Sequence, residues 1–452
     1  MTNPSISDFT PEQNAWLRRM NFDETKVGPY TLPDPFRCED GSHVETPETW
    51  FGKRRPELHA LFEQYVYGER LPALPFRAEV TEESATALNG LATRRQVTLS
   101  FPDAEEIRGE AAPKLHLILY IPNSGTPQAP APAFLGLSFY GNQASFDDPA
   151  IPLSRAWMRA DLPGVVDHRA TEASRGTGIS RWPLETILMR GYALATLYYG
   201  DIEPDHPEGI HESIRASFQK PGVPRLPHEA GAITAWAWGL SRVMDYLLGE
   251  PRLDPRRIGV TGHSRLGKTA LWAAACDERF AFAISNNSGC GGASLSHRNY
   301  GETLEILSNV RRYWFNPRCR TASADMTRFP VDQHLLVAQI APRPVFISSA
   351  SEDAGADPAG EYRCAVEAGK VYRFLGWDKA DNADNADNAD NIDNASDAGP
   401  CSPELPPLNT PVYSRVGYER REGRHDITRH DWLTHLDFVD RHLPPGQKSP
   451  TP

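Results

Sequence analysis

The amino-acid sequence predicts an α/β fold with a mostly parallel central sheet. Three observations predict it. Apolar, β-rich runs alternate along the chain with segments of helical periodicity. Some of these runs end in loops rich in glycine and polar residues, where open α/β sheets place their chemistry. A Gly-flanked serine at 264 stands between one such run and a helix.

Residues 1–28 read as a polar N-terminal arm, and 446–452 as a tail. Between them, 29–445 read as one domain, whose first part, about 29–105, wraps onto the core. Pro29 to Pro35 is an extended run. Thr46 can cap a helix with Pro47 in its first turn. Pro56 should end that helix near Arg54 and open a second, in which Leu58, Leu61, Phe62 and Tyr65 recur at helical spacing up to Tyr67-Gly68. Strands are predicted over 95–101, 114–121 and 133–139, the last running into Tyr140-Gly141-Asn142. A helix opened by Arg181-Trp182-Pro183 leads to a strand over 192–199.

A long helix is predicted over 228–248, because Ile233, Trp236, Leu240, Val243, Met244 and Leu247 keep helical spacing. The serine and its helix follow, then strands over 281–285 and 344–349, and a helix over 361–374. The chain closes with a β-like run over 412–418, a turn at Glu422-Gly423-Arg424-His425, and a helix from about 431 to 442. Residues 380–397 repeat Ala-Asp-Asn almost perfectly, within an insert at about 379–400 read as a disordered surface loop because it has nothing to bury.

Composition sets limits on partners. The chain has 452 residues, 40% of them hydrophobic, and a net charge of −12, which argues against nucleic acid and anionic membranes as partners. Part of that charge sits in the insert, at Asp381, Asp384, Asp387, Asp390, Asp393 and Asp397. The six cysteines form no C-x-x-C pair, so no metal site and no cofactor are expected. No apolar leader or membrane-length run is visible, so a cytoplasmic monomer is the expectation.

The chemistry centres on Gly262-His263-Ser264-Arg265-Leu266-Gly267-Lys268. A serine on a sharp strand-to-helix turn is a nucleophile elbow, and small neighbours let the backbone fold tightly. The second glycine is displaced to 267, with Leu266 in its usual place. An elbow directly after a long helix narrows the fold to an α/β-hydrolase, a three-layer sandwich. The bland alternative is a loop serine capping a helix.

In that fold the order is serine, acid, histidine, with the histidine on the last loop before the final helix. His425 stands there. His430 and His435 fall on or beside the helix and read as a solvated face, and His334 reads as structural. Asp353, just past the strand over 344–349, fits the acid. Its neighbour Glu352 should point the other way, and Asp357 before Pro358 reads as a cap or turn residue. Arg265 could add donors to an oxyanion hole. Two cations, Arg265 and Lys268, beside a nucleophile favour an anionic substrate or a developing oxyanion; the alternative is that both reach solvent.

These residues resemble the glucuronoyl esterases, carbohydrate esterase family 15. The elbow looks like that family's G-x-S-R-x-G-K. The likeness extends through Trp182-Pro183, Tyr199-Gly200-Asp201-Ile202, Ser288-Gly289-Cys290-Gly291-Gly292, Tyr300-Gly301-Glu302-Thr303, Asp332-Gln333-His334, Ala341-Pro342-Arg343-Pro344 and Glu422-Gly423-Arg424-His425-Asp426. The resemblance implies Ser264 as nucleophile, His425 as base and Arg265 in the oxyanion hole. It implies contacts from Lys268 and Glu302 to a sugar, and a substrate in which glucuronic acid on xylan is esterified to a lignin alcohol.

The chain also departs from the pattern. Asn287 stands where many members carry the acid as a glutamate, whereas some bacterial members place an acid where Asp353 lies. Gly355 replaces a tryptophan, and His263 replaces a fungal cysteine. Members are typically exported. An acetyl esterase or general carboxylesterase on the same fold, and a non-catalytic carbohydrate-binding relative, remain as alternatives.

Overall fold

The structure is a computed structural model that describes residues 9–219, 222–377 and 404–443. The expected insert at 379–400 and tail at 446–452 lie outside the described residues. The strands are β1 (Arg77–Thr86), β2 (Ala92–Ser100), β3 (Leu115–Pro122), β4 (Ala131–Ser138), β5 (Val165–Val166), β6 (Arg169–Ala170), β7 (Ala193–Tyr198), β8 (Leu253–His263), β9 (Ala283–Asn286), β10 (Val345–Ala350) and β11 (Val416–Arg421). β5 and β6 form a small separate hairpin.

The other nine make one sheet in the order β1-β2-β3-β7-β4-β8-β9-β10-β11. Pairing is antiparallel from β1 to β7 and parallel from β7 to β11. With helices on both faces, this is the α/β-hydrolase arrangement that the sequence predicts.

The strands are apolar on both sides because both faces are covered. Leu117, Leu119, Leu135, Ala195 and Ile347 face one core with Trp236 and Trp272, from helices Ala232–Leu247 and Arg265–Cys276. Ile118, Phe134, Leu194, Phe282 and Phe346 face the other core with Ile187 and Trp432, from helices Leu184–Met189 and Arg429–His442. Trp272 is fully buried and stacks on Tyr67, with ring centroids 4.6 Å apart. Truncating such a ring to alanine costs roughly 3–5 kcal/mol.

Several expectations change. Pro56 does not break its helix. A wide π turn at Trp50–Arg54 comes first, the Arg55 N–H closes onto the Trp50 carbonyl, and Pro56 falls in the first turn of Arg55–Phe62, where its missing N–H is harmless. The long helix starts at Ala232 rather than 228 because Gly231 is pinned first. Its N–H meets the Tyr67 carbonyl at 2.8 Å, and a side chain on it would lie 2.3 Å from the Trp314 carbonyl oxygen.

The β-like run over 412–418 becomes β11 further on, with Val412 folding back to pair with Tyr418. β1 is a polar, exposed edge strand without apolar alternation. His435 is not on a solvated face: it is fully buried and its Nε2 lies 2.7 Å from Ser348 Oγ. His334, in helix Gln333–Ala338 ahead of β10, is the structural residue the sequence predicts: it is buried against the Pro33 carbonyl at 3.0 Å.

The described part of the N-terminal arm is docked. Helix Pro11–Leu17 is held by a Thr10–Gln13 capping box, and Gln13 Nε2 donates to the Val310 carbonyl at 2.8 Å. Arg19 pairs with Glu305 at 2.9 Å. Among the described residues, five cysteines are free, and no helix is long and apolar enough to cross a membrane.

Candidate active site

The turn after β8 is sharp and strained. Ser264 has φ 57° and ψ −129°, a conformation in which L-residues are costly to hold. Its N–H donates to the Asn286 carbonyl on β9 at 2.8 Å, and its own carbonyl accepts from Gly267 N–H at 2.8 Å as the helix begins. The two glycines make this possible. A Cβ on Gly262 would lie 2.0 Å from the Leu266 carbonyl oxygen, and one on Gly267 would lie 3.0 Å from the Gly262 carbonyl oxygen and from Ser288 Cβ. Leu266 meanwhile buries its side chain in the core. The second glycine can therefore sit at 267, since the backbone of 266, rather than its side chain, makes the close approach.

His425 lies on the loop after β11. Its Nδ1 is 2.6 Å from Asp353 Oδ2, just past β10. A carboxylate can only accept, so Nδ1 carries the proton and Nε2 is left as the acceptor. The same Asp353 oxygen accepts from Asn287 Nδ2 at 3.2 Å. Asn287, expected from the family resemblance to be a glutamate, thus donates to the candidate acid Asp353. Asp357, read from the sequence as a cap or turn residue, caps helix Pro358–Phe374, accepting from Gly360 N–H at 3.0 Å. Glu352 is exposed and 3.3 Å from Arg424. Among the described residues, Ser264 Oγ makes no hydrogen bond to His425; such bonds often close only around substrate.

Arg265 and Lys268 do not point to solvent. The Arg265 guanidinium pairs with Asp205 and lies over the rings of Phe139 and Trp314, 5.4 and 5.1 Å from their centroids. Burial by itself would raise the Asp205 carboxyl, but Arg265 and Arg311 outweigh it, with donors from Trp314 and Tyr313, and hold it below the usual range. Those donors, Trp314 Nε1 and the Tyr313 hydroxyl, meet Asp205 Oδ1 at 2.7 and 2.9 Å. Asp205 was missed in the sequence. Nothing in its local pattern marks it, since its partner is sixty residues away.

Lys268 is buried. Its Nζ donates to the Ser288 carbonyl and, at 2.7 Å, to the Cys290 carbonyl. Burial pulls its pKa down, against the charges of Glu302 and Glu361. Glu302 is half-buried, and its N–H meets the Gly355 carbonyl at 2.9 Å. A Cβ on Gly355 would stand in ordinary van der Waals contact with Asp353 Oδ1 and Glu302 Cγ, both at 3.9 Å. A small cavity adjoins the turn, lined by residues including Phe139, Arg181, His263 and Trp432 but not by Ser264 or His425.

The structure thus sets Ser264, Arg265, His425 and Asp353 at the C-terminal ends of β8, β11 and β10, with Lys268 and Glu302 beside them. A family model described as "Glucuronyl esterase, fungi" matches residues 225–376. The chain is 39% identical to carbohydrate esterase MZ0003 from an unknown prokaryotic organism, over 97% of this chain and 96% of that one. The solved glucuronoyl esterase from Solibacter usitatus superposes with a TM-score of 0.81 at 39% identity, covering 92% of this chain and 99% of that one. A structure described as a promiscuous CE15 esterase from the marine bacterial metagenome gives the same TM-score and identity, covering 94% and 100%. The chain belongs to the glucuronoyl esterases of carbohydrate esterase family 15.

Proposed function

We propose that the chain is a serine carboxylic ester hydrolase that cleaves esters of glucuronic acid through an acyl-enzyme. The observation that carries this is the 2.6 Å hydrogen bond from His425 to Asp353 beside a serine held at a strained strand-to-helix turn. Ser264 Oγ attacks the ester carbonyl while His425 Nε2 takes its proton. Asp353 fixes the imidazole and stabilises the imidazolium that forms. The Arg265 backbone N–H begins the helix and, with the guanidinium, faces the developing oxyanion. His425 then returns the proton to the departing alcohol. Water repeats the sequence on the acyl-enzyme and frees Ser264. Lys268 and Glu302 are assigned to sugar hydroxyls.

Gly355, which stands where the family's tryptophan is expected, favours a second reading, a broader esterase that also accepts acetylated sugars or other carboxylate esters. Initial rates on a glucuronate benzyl ester and on an acetylated sugar separate the two. Turnover of the acetyl ester alone would rule out the glucuronoyl reading. Ser264→Ala should abolish turnover of both while leaving the unfolding midpoint unchanged. Full activity in that variant would refute the serine mechanism.

A further inference from the structure

A second set of polar side chains, none of them in the triad, runs beneath the site. His263 Nδ1 lies 2.6 Å from Asn286 Oδ1. Asn286 Nδ2 donates to Asp431 Oδ1 at 2.9 Å. Asp431 accepts Arg421 Nε on both oxygens, at 3.0 and 2.8 Å. Arg421 Nη2 then donates to the carbonyls of Arg424 at 2.9 Å and Asp426 at 2.6 Å, one on each side of His425. All four side chains are buried, none more than 5% exposed.

The direction of every bond follows from chemistry. The Asp431 carboxylate can only accept, so Asn286 must turn its amide N–H₂ toward it. Asn286 then offers only its oxygen to His263, which must carry its proton on Nδ1. The chain closes on itself. The His263 and His425 rings lie 4.5 Å apart, tilted by 45°, and the Asn286 backbone carbonyl accepts the Ser264 N–H. Asn286 therefore grips the nucleophile with its main chain and the residue before it with its side chain.

We propose that His263, Asn286, Asp431 and Arg421 form a buried positioning relay that fixes the Ser264 turn and the His425 loop relative to each other. The two groups that must exchange a proton come from different strands, β8 and β11, separated in the sheet by β9 and β10. No hydrogen bond joins them directly among the described residues, so their spacing depends on what lies underneath. Burial, reinforced by His425 and Arg181, lowers the His263 pKa well below the ordinary histidine value, which keeps the ring neutral against the base. A misplacement of about 1 Å between reacting groups is enough to cost ~10²-fold in rate.

The relay rests on the reading of Ser264 as nucleophile, and the experiment separates the two. Asn286→Ala, Arg421→Lys and the double variant are made in the full chain. Active sites are counted with a serine-directed phosphonate, and kcat and KM are measured on a glucuronate benzyl ester. Each single change should lower kcat per labelled site at least ~10-fold with KM within ~3-fold. The double variant should lose far less than the product of the two, because either break opens the same loop. His263→Asn, whose amide restores a donor near the Nδ1 position, should retain more kcat than His263→Leu.

Single variants with kcat per site within ~2-fold of the parent, or losses that multiply, would overturn the relay. Should the variants not fold, the imidazole NMR of the parent decides: a slowly exchanging Nδ1 proton on His263 supports the relay, and a proton on Nε2 overturns it. If the parent is neither labelled nor active, the nucleophile reading has failed instead.

Discussion

Gly262→Ala probes the elbow where the structure leaves least room. The added Cβ would lie 2.0 Å from the Leu266 carbonyl oxygen, 2.4 Å from its carbonyl carbon and 2.8 Å from Gly267 N. All three are backbone atoms in the first turn of helix Arg265–Cys276, so no side chain can swing aside. Reaching even 3.0 Å requires the end of β8 and the start of the helix to part by ~1 Å, the gap between 2.0 and 3.0 Å. Ser264 lies between them. Overpacking of this kind costs about 1–3 kcal/mol of stability, and a 1 Å displacement of the nucleophile costs about 10²-fold in rate. The assay is kcat per phosphonate-titrated site on a glucuronate ester, with the unfolding midpoint measured alongside. Gly267→Ala is the control. Its Cβ would meet Ser288 Cβ and the Gly262 carbonyl oxygen at 3.0 Å, so its kcat should fall less than ~10-fold. The reasoning fails if Gly262→Ala keeps kcat within about 3-fold, or if Gly267→Ala is the worse of the two.

Asp353→Asn should lower kcat by ~10³ to 10⁴-fold with little change in KM, because the imidazole loses its orienting acceptor. Adding Asn287→Asp should recover part of the loss, since Asn287 already reaches Asp353; no recovery would place the acid function at 353 alone. Burial pushes His435 down to about 4 from an ordinary 6.5. The unfolded chain then takes up the proton first, so this stability is complete above pH 6.5 and is lost as pH falls toward 4. It amounts to about 3 kcal/mol. Urea unfolding at pH 7 and 4.5 should show it, and His435→Gln should flatten the difference. Glu361 is the reverse case. Burial pushes its carboxyl up to about 8 from 4.5, against the donors of Ser349 and Gly289. Its contribution is complete below pH 4.5 and is lost as pH rises through 8, so Glu361→Gln should be more stable than the parent at pH 9, by up to ~4 kcal/mol. Equal midpoints at pH 9 would show that the carboxyl ionises freely.

The sheet was legible because its strands are apolar on both faces, and periodicity reports burial directly. β1 escaped notice for the same reason: exposed over nearly its whole length, it carries no apolar pattern to find. The serine turn and the His425 loop could be read because close backbone approach leaves glycines in the sequence. Asp205 and the Asn286–Asp431 contact leave no such trace, because each joins residues far apart in the chain through polar side chains common in any loop. His435 was misread because its helix carries polar residues on several sides, and only the packing of β10 against it shows that one of them is buried. Pro56 misled because the π turn ahead of it, which absorbs the missing N–H, has no sequence signature of its own.

The pairing of Arg265 with Asp205 bears on what happens after the chemistry. An ester of a uronic acid is neutral, but the acid released from it is an anion. A lone guanidinium beside the serine would hold that anion and slow its departure. Here the positive charge is matched in advance by a buried carboxylate, so Arg265 brings directional N–H donors without net charge. Glu302 adds negative charge nearby, facing the buried ammonium of Lys268, and Asp353 adds more beside His425. The cleft is thus built to favour a transient oxyanion and not a lasting carboxylate, and weak inhibition by free glucuronate is where that asymmetry would be seen.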